Sequence, residues 1–194
     1  MKYGALSIAC LLSTAYINAH HDKLLQSFYD HDMVKRGTFT LKSGKTSSIY
    51  IDGRNAISSP HLLAAIAQAF DTLILNKTYD RVCGVPYGAL PLATALSLHR
   101  NEPMIMLRKE IKNHGTQKQI EGAYQQGDNV LLVEDVITTG SSILEAVELL
   151  EKKGLVIADI IILIDRQEGG IERLRNLGYS VHALYTLADI LAHQ

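Results

Sequence analysis

Apolar residues recur at helical spacing from Leu62 to Leu75, with Leu, Ile, Ala and Phe on one side and Pro60 near the start. The spacing predicts a helix, and proline suits a first turn because its missing N–H would have had no partner there. The period then changes repeatedly. A strand is predicted at Arg81–Val85, a helix at Ala89–Leu98 and a strand at Met104–Leu107. Further on come a strand at Asn129–Val133, a helix at Ile143–Lys153 closed by Gly154, and a strand at Val156–Ile164. The last pair is a helix at Ile171–Asn176, stopped at Gly178, and a strand at Val181–Tyr185. The long β-branched run Val156–Ile164 marks a strand covered on both faces. Strands alternating with helices predict a parallel sheet flanked by helices, with ligands bound beyond the carboxyl ends of the strands.

The N-terminal part has another rhythm. Asp22–His31 reads as a short helix. Thr38–Leu41 and Ile49–Asp52 alternate like two strands around a turn at Ser43-Gly44-Lys45, a hairpin-like element rather than a βα unit. Upstream, Ala5–Ala19 is apolar behind Lys2, and Asn18-Ala19 loosely imitates a secretory cleavage site. Ser7, Ser13, Thr14, Tyr16 and Asn18 make the stretch a poor leader core, too short and polar to span a membrane. Residues 1–21 are therefore expected to be a helical extension, or the product of an upstream start codon, before one domain over 22–194.

Composition narrows the function classes. Hydrophobic residues make up 47%, charged residues 20%, and the formal net charge of the 194 residues is −1. No global basic field points to nucleic acid, so any anion site must be a local cluster. The two cysteines, Cys10 and Cys83, form no CxxC pattern, and free thiols fit a reducing cytoplasm.

The candidate chemistry is concentrated at Val130–Ser142. An apolar strand runs into Glu134 and Asp135, then Val136 and Ile137, then the turn Thr138-Thr139-Gly140-Ser141-Ser142, where a helix begins. Unpaired N–H groups at a helix start attract an anion, glycine admits close backbone approach, and the hydroxyls add donors. The two acids would repel phosphate. They suit hydroxyl groups, a metal ion or a developing positive charge, all of which a ribose 5-phosphate offers. The pattern is neither a Walker motif nor G-x-G-x-x-G. A second cluster, Arg108, Lys109, Lys112 and His114, follows the strand ending at Leu107 and suits a multiply charged anion under a closing lid.

Val133–Ser142 resembles the PRPP-binding signature of the type I phosphoribosyltransferases (PRPP is phosphoribosyl pyrophosphate). The resemblance implies that Glu134 and Asp135 contact the ribose hydroxyls and that the following loop holds the 5′-phosphate. Other segments resemble the orotate phosphoribosyltransferases in particular. Arg108–Gly115 is similar to their mobile loop, which implies PRPP contacts for Lys109 in its own subunit and for Arg108, Lys112 and His114 across a homodimer. Phe39–Gly44 is similar to an FxLKSG hairpin and points to Lys42 at the reaction centre. Ser47–Asp52 is similar to the strand that lays Tyr50 and Ile51 against the orotate ring, and Leu163–Gly170 to LDRxEGG, whose arginine, Arg166, takes the orotate carboxylate. Thr138 would bond the pyrimidine edge. Tyr87 lies in a PxYK-like loop in which Gly88 stands at the lysine position, as in the transferase half of animal UMP synthase.

What the resemblance implies is a type I phosphoribosyltransferase-like α/β fold. It has a mostly parallel central sheet flanked by helices, under a small N-terminal hood of helix and strands. The implied activity makes orotidine 5′-monophosphate for UMP biosynthesis, with Lys42, Glu134, Asp135, Lys112 and His114 as the catalytic set. Mg²⁺ is expected to be held mainly by PRPP and water, with no protein metal site, no nucleic acid and no membrane. A transferase for another base and a PRPP sensor without turnover are the rival readings.

Overall fold

The computed structural model describes residues 21–40, 46–108 and 119–193. The expected N-terminal extension, the hairpin turn with Lys42 and the basic loop with Lys109, Lys112 and His114 lie outside the described residues. In chain order, a helix at residues 21–30 (α1) leads into β1 (Val34–Thr40) and β2 (Thr46–Ile51). A 3-10 turn at Gly53–Ser58 precedes α2 (Pro60–Leu73), β3 (Arg81–Gly84), α3 (Leu90–Arg100), β4 (Met104–Leu107) and β5 (Ile120–Glu121). Then come β6 (Asn129–Ile137), α4 (Ser141–Lys152), β7 (Val156–Asp165), α5 (Gly170–Asn176), β8 (Val181–Thr186) and α6 (Leu187–Ala192).

β1 and β2 form an antiparallel pair, and the other strands form one sheet in the order β5-β4-β3-β6-β7-β8. All neighbours in that sheet run parallel except β5, which is antiparallel to β4. Strand alternation sends side chains to two apolar layers. Leu131, Val133, Ile161 and Leu163 pack with α1, α2, α3 and α6 through Phe28, Ile66, Leu96 and Ile190. Val130, Leu132, Ile160 and Ile162 pack with α4 and α5 through Val147, Leu150 and Leu174. Each fully buried aliphatic side chain contributes about 1.5–3 kcal/mol of transfer free energy. Burial pushes the Cys83 thiol up to about 12, so this cysteine is a packing residue.

Helix ends follow local chemistry. Ser59 caps α2 by accepting from the Leu62 amide ahead of Pro60, and Gly154, at φ +80°, follows the end of α4 as expected. Two expectations need correction. β6 does not stop at Val133 but continues through the acid pair to Ile137, because pairing with β7 outweighs the poor strand propensity of Glu and Asp. The buried run of β7 starts at Asp159 rather than Val156, whose side chain is exposed at the start of the strand.

Asp159 is a buried acid in that apolar strand, and its partners explain it. Lys77 Nζ lies 2.8 Å from Oδ1, Ser180 Oγ donates to Oδ1 at 2.6 Å, and Tyr79 Oη donates to Oδ2 at 2.8 Å. His182 Nε2 is 3.3 Å from Oδ1. Burial pushes the Asp159 carboxyl up, but the bonds from Lys77, Ser180 and Tyr79 together hold it below the ordinary value of 3.8. A lowered folded-state value means that ionised Asp159 stabilises the fold above the ordinary value, and that this is lost as pH falls through the folded one. Asp159→Asn is therefore expected to cost about 1–3 kcal/mol in urea denaturation at neutral pH. The gap from the parent protein should begin to shrink below about pH 4, where the unfolded chain takes up the proton, and close only as Asp159 of the folded protein is protonated at lower pH.

Candidate active site

The site begins where β3 and β6 part. β3 pairs with β6 as far as Gly84 opposite Val133, whereas β6 stays paired with β7 to Ile137 opposite Asp165. The last part of β6 thus has an open edge beside the loop that leads into α3. From this seam the chain builds outward in both directions, through β4 on one side and through β7 and β8 on the other. Such a reversal leaves a crevice at the carboxyl ends of the strands.

Glu134 and Asp135 occupy that open edge. Glu134 is only 6% exposed, and its Oε1 accepts the Asp135 amide at 3.1 Å. Asp135 is half-buried and its Oδ1 accepts the Val136 amide at 2.9 Å. A carboxylate has about four acceptor positions, so these local bonds leave Asp135 capacity for a ligand hydroxyl. Gly88 belongs to the same corner, since a Cβ there would lie 2.2 Å from Asp135 Oδ2. The position that carries lysine in the PxYK pattern is here filled by the acid's own carboxylate.

Beyond the acids the chain turns through Thr138–Ser142 around a small cavity of about 40 Å³, lined also by Glu134, Val136 and Ile137. Gly140 is the N-cap of α4 at φ +77°, and no side chain caps the helix. The first N–H groups of α4 are therefore left for another acceptor, an anion by preference. The exposed hydroxyls of Thr139 and Ser141 stand 3.1 Å apart at the rim. Sequence reasoning missed one residue here. Arg173 on α5 reaches this loop, donating to Thr139 O and Ser141 Oγ, and no periodicity or spacing singled it out.

On the other side, the Arg166 amide donates to Ile137 O at 3.0 Å, which fixes the end of β7 against the end of β6. Arg166 is 7% exposed, and its Nε donates to Glu168 Oε1 at 2.8 Å. Burial pushes the neighbouring Asp165 carboxyl up. In β2, alternation puts Tyr50 outside, 5.5 Å from the Phe39 ring, and Ile51 in the core, so only Tyr50 of that pair stands on the open face. Tyr87 is 61% exposed in the loop after β3. Arg108 pairs with Glu121 at 2.8 Å and, with Val85, Pro86 and Ser142, lines a cavity of about 530 Å³ next to α4.

Comparison with known proteins decides the family. Residues 55–177 match the phosphoribosyl transferase domain family. The chain is 40% identical over 171 residues to an orotate phosphoribosyltransferase of Pyrococcus horikoshii, covering 87% of this chain and 92% of that protein. The chain belongs to the orotate phosphoribosyltransferase family. It is also 43% identical over 170 residues to the uridine 5′-monophosphate synthase of Bos taurus, where the match covers 87% of this chain and 35% of that protein. The chain thus spans about a third of that longer relative. The solved orotate phosphoribosyltransferase of Aeropyrum pernix superposes with a TM-score of 0.77 at 34% identity, covering 87% of this chain and 96% of that one.

The fold is accordingly the type I phosphoribosyltransferase fold, a mostly parallel six-stranded sheet with flanking helices and a small antiparallel pair before it. Among the described residues, no group of three or more His, Cys, Asp or Glu side chains is placed to hold a metal ion. Among them, no helix is long and apolar enough to cross a membrane. The Glu168 bond holds the planar fork of Arg166 through Nε, an atom lysine lacks. Arg166→Lys is expected to weaken orotate binding about 10-fold in equilibrium titration while PRPP binding stays within about 2-fold. Equal weakening of both ligands would make Arg166 a structural residue.

Proposed function

We propose that this chain transfers the phosphoribosyl group of PRPP to orotate, giving orotidine 5′-monophosphate and pyrophosphate in UMP biosynthesis. The observation that carries the reading is the continuous run from an acid pair on an open strand edge, Glu134 buried and Asp135 half-buried, into an uncapped helix start. The 5′-phosphate takes the N–H groups and hydroxyls of Thr138–Ser142. The carboxylates of Glu134 and Asp135 accept from the ribose hydroxyls. They also favour positive character at C1 as its bond to the pyrophosphate oxygen breaks. Arg166 holds the orotate carboxylate, Tyr50 lies along the ring and Thr138 meets its edge. N1 of orotate, having lost its proton, forms the new bond to C1.

The charge of the departing pyrophosphate calls for cations. Arg108 and Tyr87 flank the crevice, and the resemblance assigns Lys42, Lys109, Lys112 and His114 to the same task. The donor set fits Mg²⁺ carried by PRPP rather than by a protein cage, with Glu134 and Asp135 the carboxylates nearest the ribose oxygens. When bound, the ion supplies neutralisation of the leaving group. Residues 22–194 would act as one domain with a hood, in the cytoplasm. The exposed apolar groove between α2 and α3, lined by Leu63, Ala67, Ala95 and Leu98, offers a face for the second copy that a shared lid requires.

An absorbance assay of orotate loss with PRPP and Mg²⁺ tests the reading directly, and no orotate loss would overturn it. Asp135→Asn should lower turnover at least about 10-fold, near 1.4 kcal/mol of transition-state stabilisation, with folding intact by circular dichroism.

Lid sharing has its own test. Lys112→Ala removes a lysine assigned to the partner's site, and Lys42→Ala one assigned to its own. Each homodimer should be nearly inactive. In a mixed dimer one site carries both defects and the other neither, so activity should return toward one parental site per dimer. A verified mixed dimer that stays inactive refutes the assignment.

A further inference from the structure

We propose that α5 is a bracket for the phosphate loop and that Arg173 is the side chain through which it acts, a positioning residue for the 5′-phosphate of PRPP. The inference rests on reading Thr138–Ser142 as that loop. Two backbone approaches place the bracket. A Cβ at Gly170 would lie 2.4 Å from Thr138 O and 2.7 Å from Ile137 Cγ1, so the first residue of α5 presses on the loop more closely than any side chain permits. At the loop's tip, a Cβ at Gly140 would lie 3.4 Å from Gly170 O and 3.6 Å from Leu174 Cγ. The loop therefore rests on α5 at its start and at its glycine.

Arg173 closes the bracket one turn further on. Its Nη1 donates to Thr139 O at 3.2 Å and to Ser141 Oγ at 3.3 Å, one acceptor on each side of Gly140. The first bond has a directional consequence. In a planar trans peptide the carbonyl and the following N–H point in opposite directions. Holding Thr139 O toward Arg173 turns the Gly140 N–H the other way, and keeps a carbonyl from facing an anion. The second bond uses Ser141 Oγ as an acceptor, so its hydrogen can go to Thr139 Oγ1, 3.1 Å away, or to a bound anion. The guanidinium is exposed, and it also places a cation beside a loop that has none of its own. The same segment carries Arg166, whose amide is tied to Ile137 O. One stretch of chain thus sets both the base end and the phosphate end of the site.

The test uses two variants and two independent readouts. Arg173→Ala should raise KM for PRPP about 3- to 10-fold, the range for losing an ordinary intramolecular hydrogen bond at an exposed position. It should weaken the binding of inorganic phosphate, measured by calorimetry without turnover, by a similar factor. KM for orotate and kcat should stay within about 2-fold. Arg173→Lys, which keeps the charge, should recover more than half of the loss on a logarithmic scale. Unchanged phosphate affinity in Arg173→Ala overturns the proposal. So does an equal loss for orotate and PRPP with a lowered melting temperature, which marks a residue that only holds the fold. Absence of orotate turnover in the parent protein would count against the functional reading alone, because the phosphate arm does not depend on it.

Discussion

The parting of β3 and β6 is the constraint on which the rest of the site depends. A strand in the middle of a parallel sheet is normally paired on both sides and covered on both faces. β6 keeps that environment to Val133, and from Glu134 to Ile137 it keeps only β7. The half-open stretch is where two adjacent acids can sit in a strand at all, since each finds a backbone amide within its own segment. The crevice that makes room for a ligand and the carboxylates that give it chemistry have one cause, a ladder that ends earlier on one side than on the other.

The electrostatic design is a separation of signs over a few residues. Two carboxylates, one buried and one half-buried, stand at the end of β6, and an uncapped helix start with a neutral, hydroxyl-bearing loop follows at once. A phosphate alone would be repelled by the first part and drawn to the second. A sugar phosphate satisfies both, hydroxyls on the acids and phosphate on the amides. That pairing of signs agrees with the family to which the chain belongs.

Around this centre the fold supplies supports that no single motif contains. α5 reaches the loop through Gly170 and Arg173, and Glu168 orients the Arg166 fork. Asp52 and Arg54 form a bidentate pair just after β2, and the Arg54 guanidinium holds the Asp52 carboxyl below its usual range. The β1–β2 pair joins the sheet through the same apolar layer as α2 and α3, with Ile49 and Ile51 inside it, so Tyr50 is left facing outward.

The pattern of apolar positions alone was enough for the parallel α/β class, for all five parallel strands and for the main helices, because burial on both faces of a sheet imposes periods that local sequence records. The run from Glu134 to Ser142 was equally legible, since acids, hydroxyls and glycine in that order have few other uses. Short elements behaved differently. The capping box of Thr186 and Asp189 closes the start of α6, which sequence reasoning missed, and β5 exists only because Ile120 and Glu121 pair with Leu107 and Met106 across the intervening residues. The extent of β6, the inward turn of Ile51, the Asp135 carboxylate filling the space at Gly88 and the reach of Arg173 were likewise decided by tertiary structure. Each depends on a partner distant in sequence, and the amino-acid order carries no local signal for where such a partner will lie.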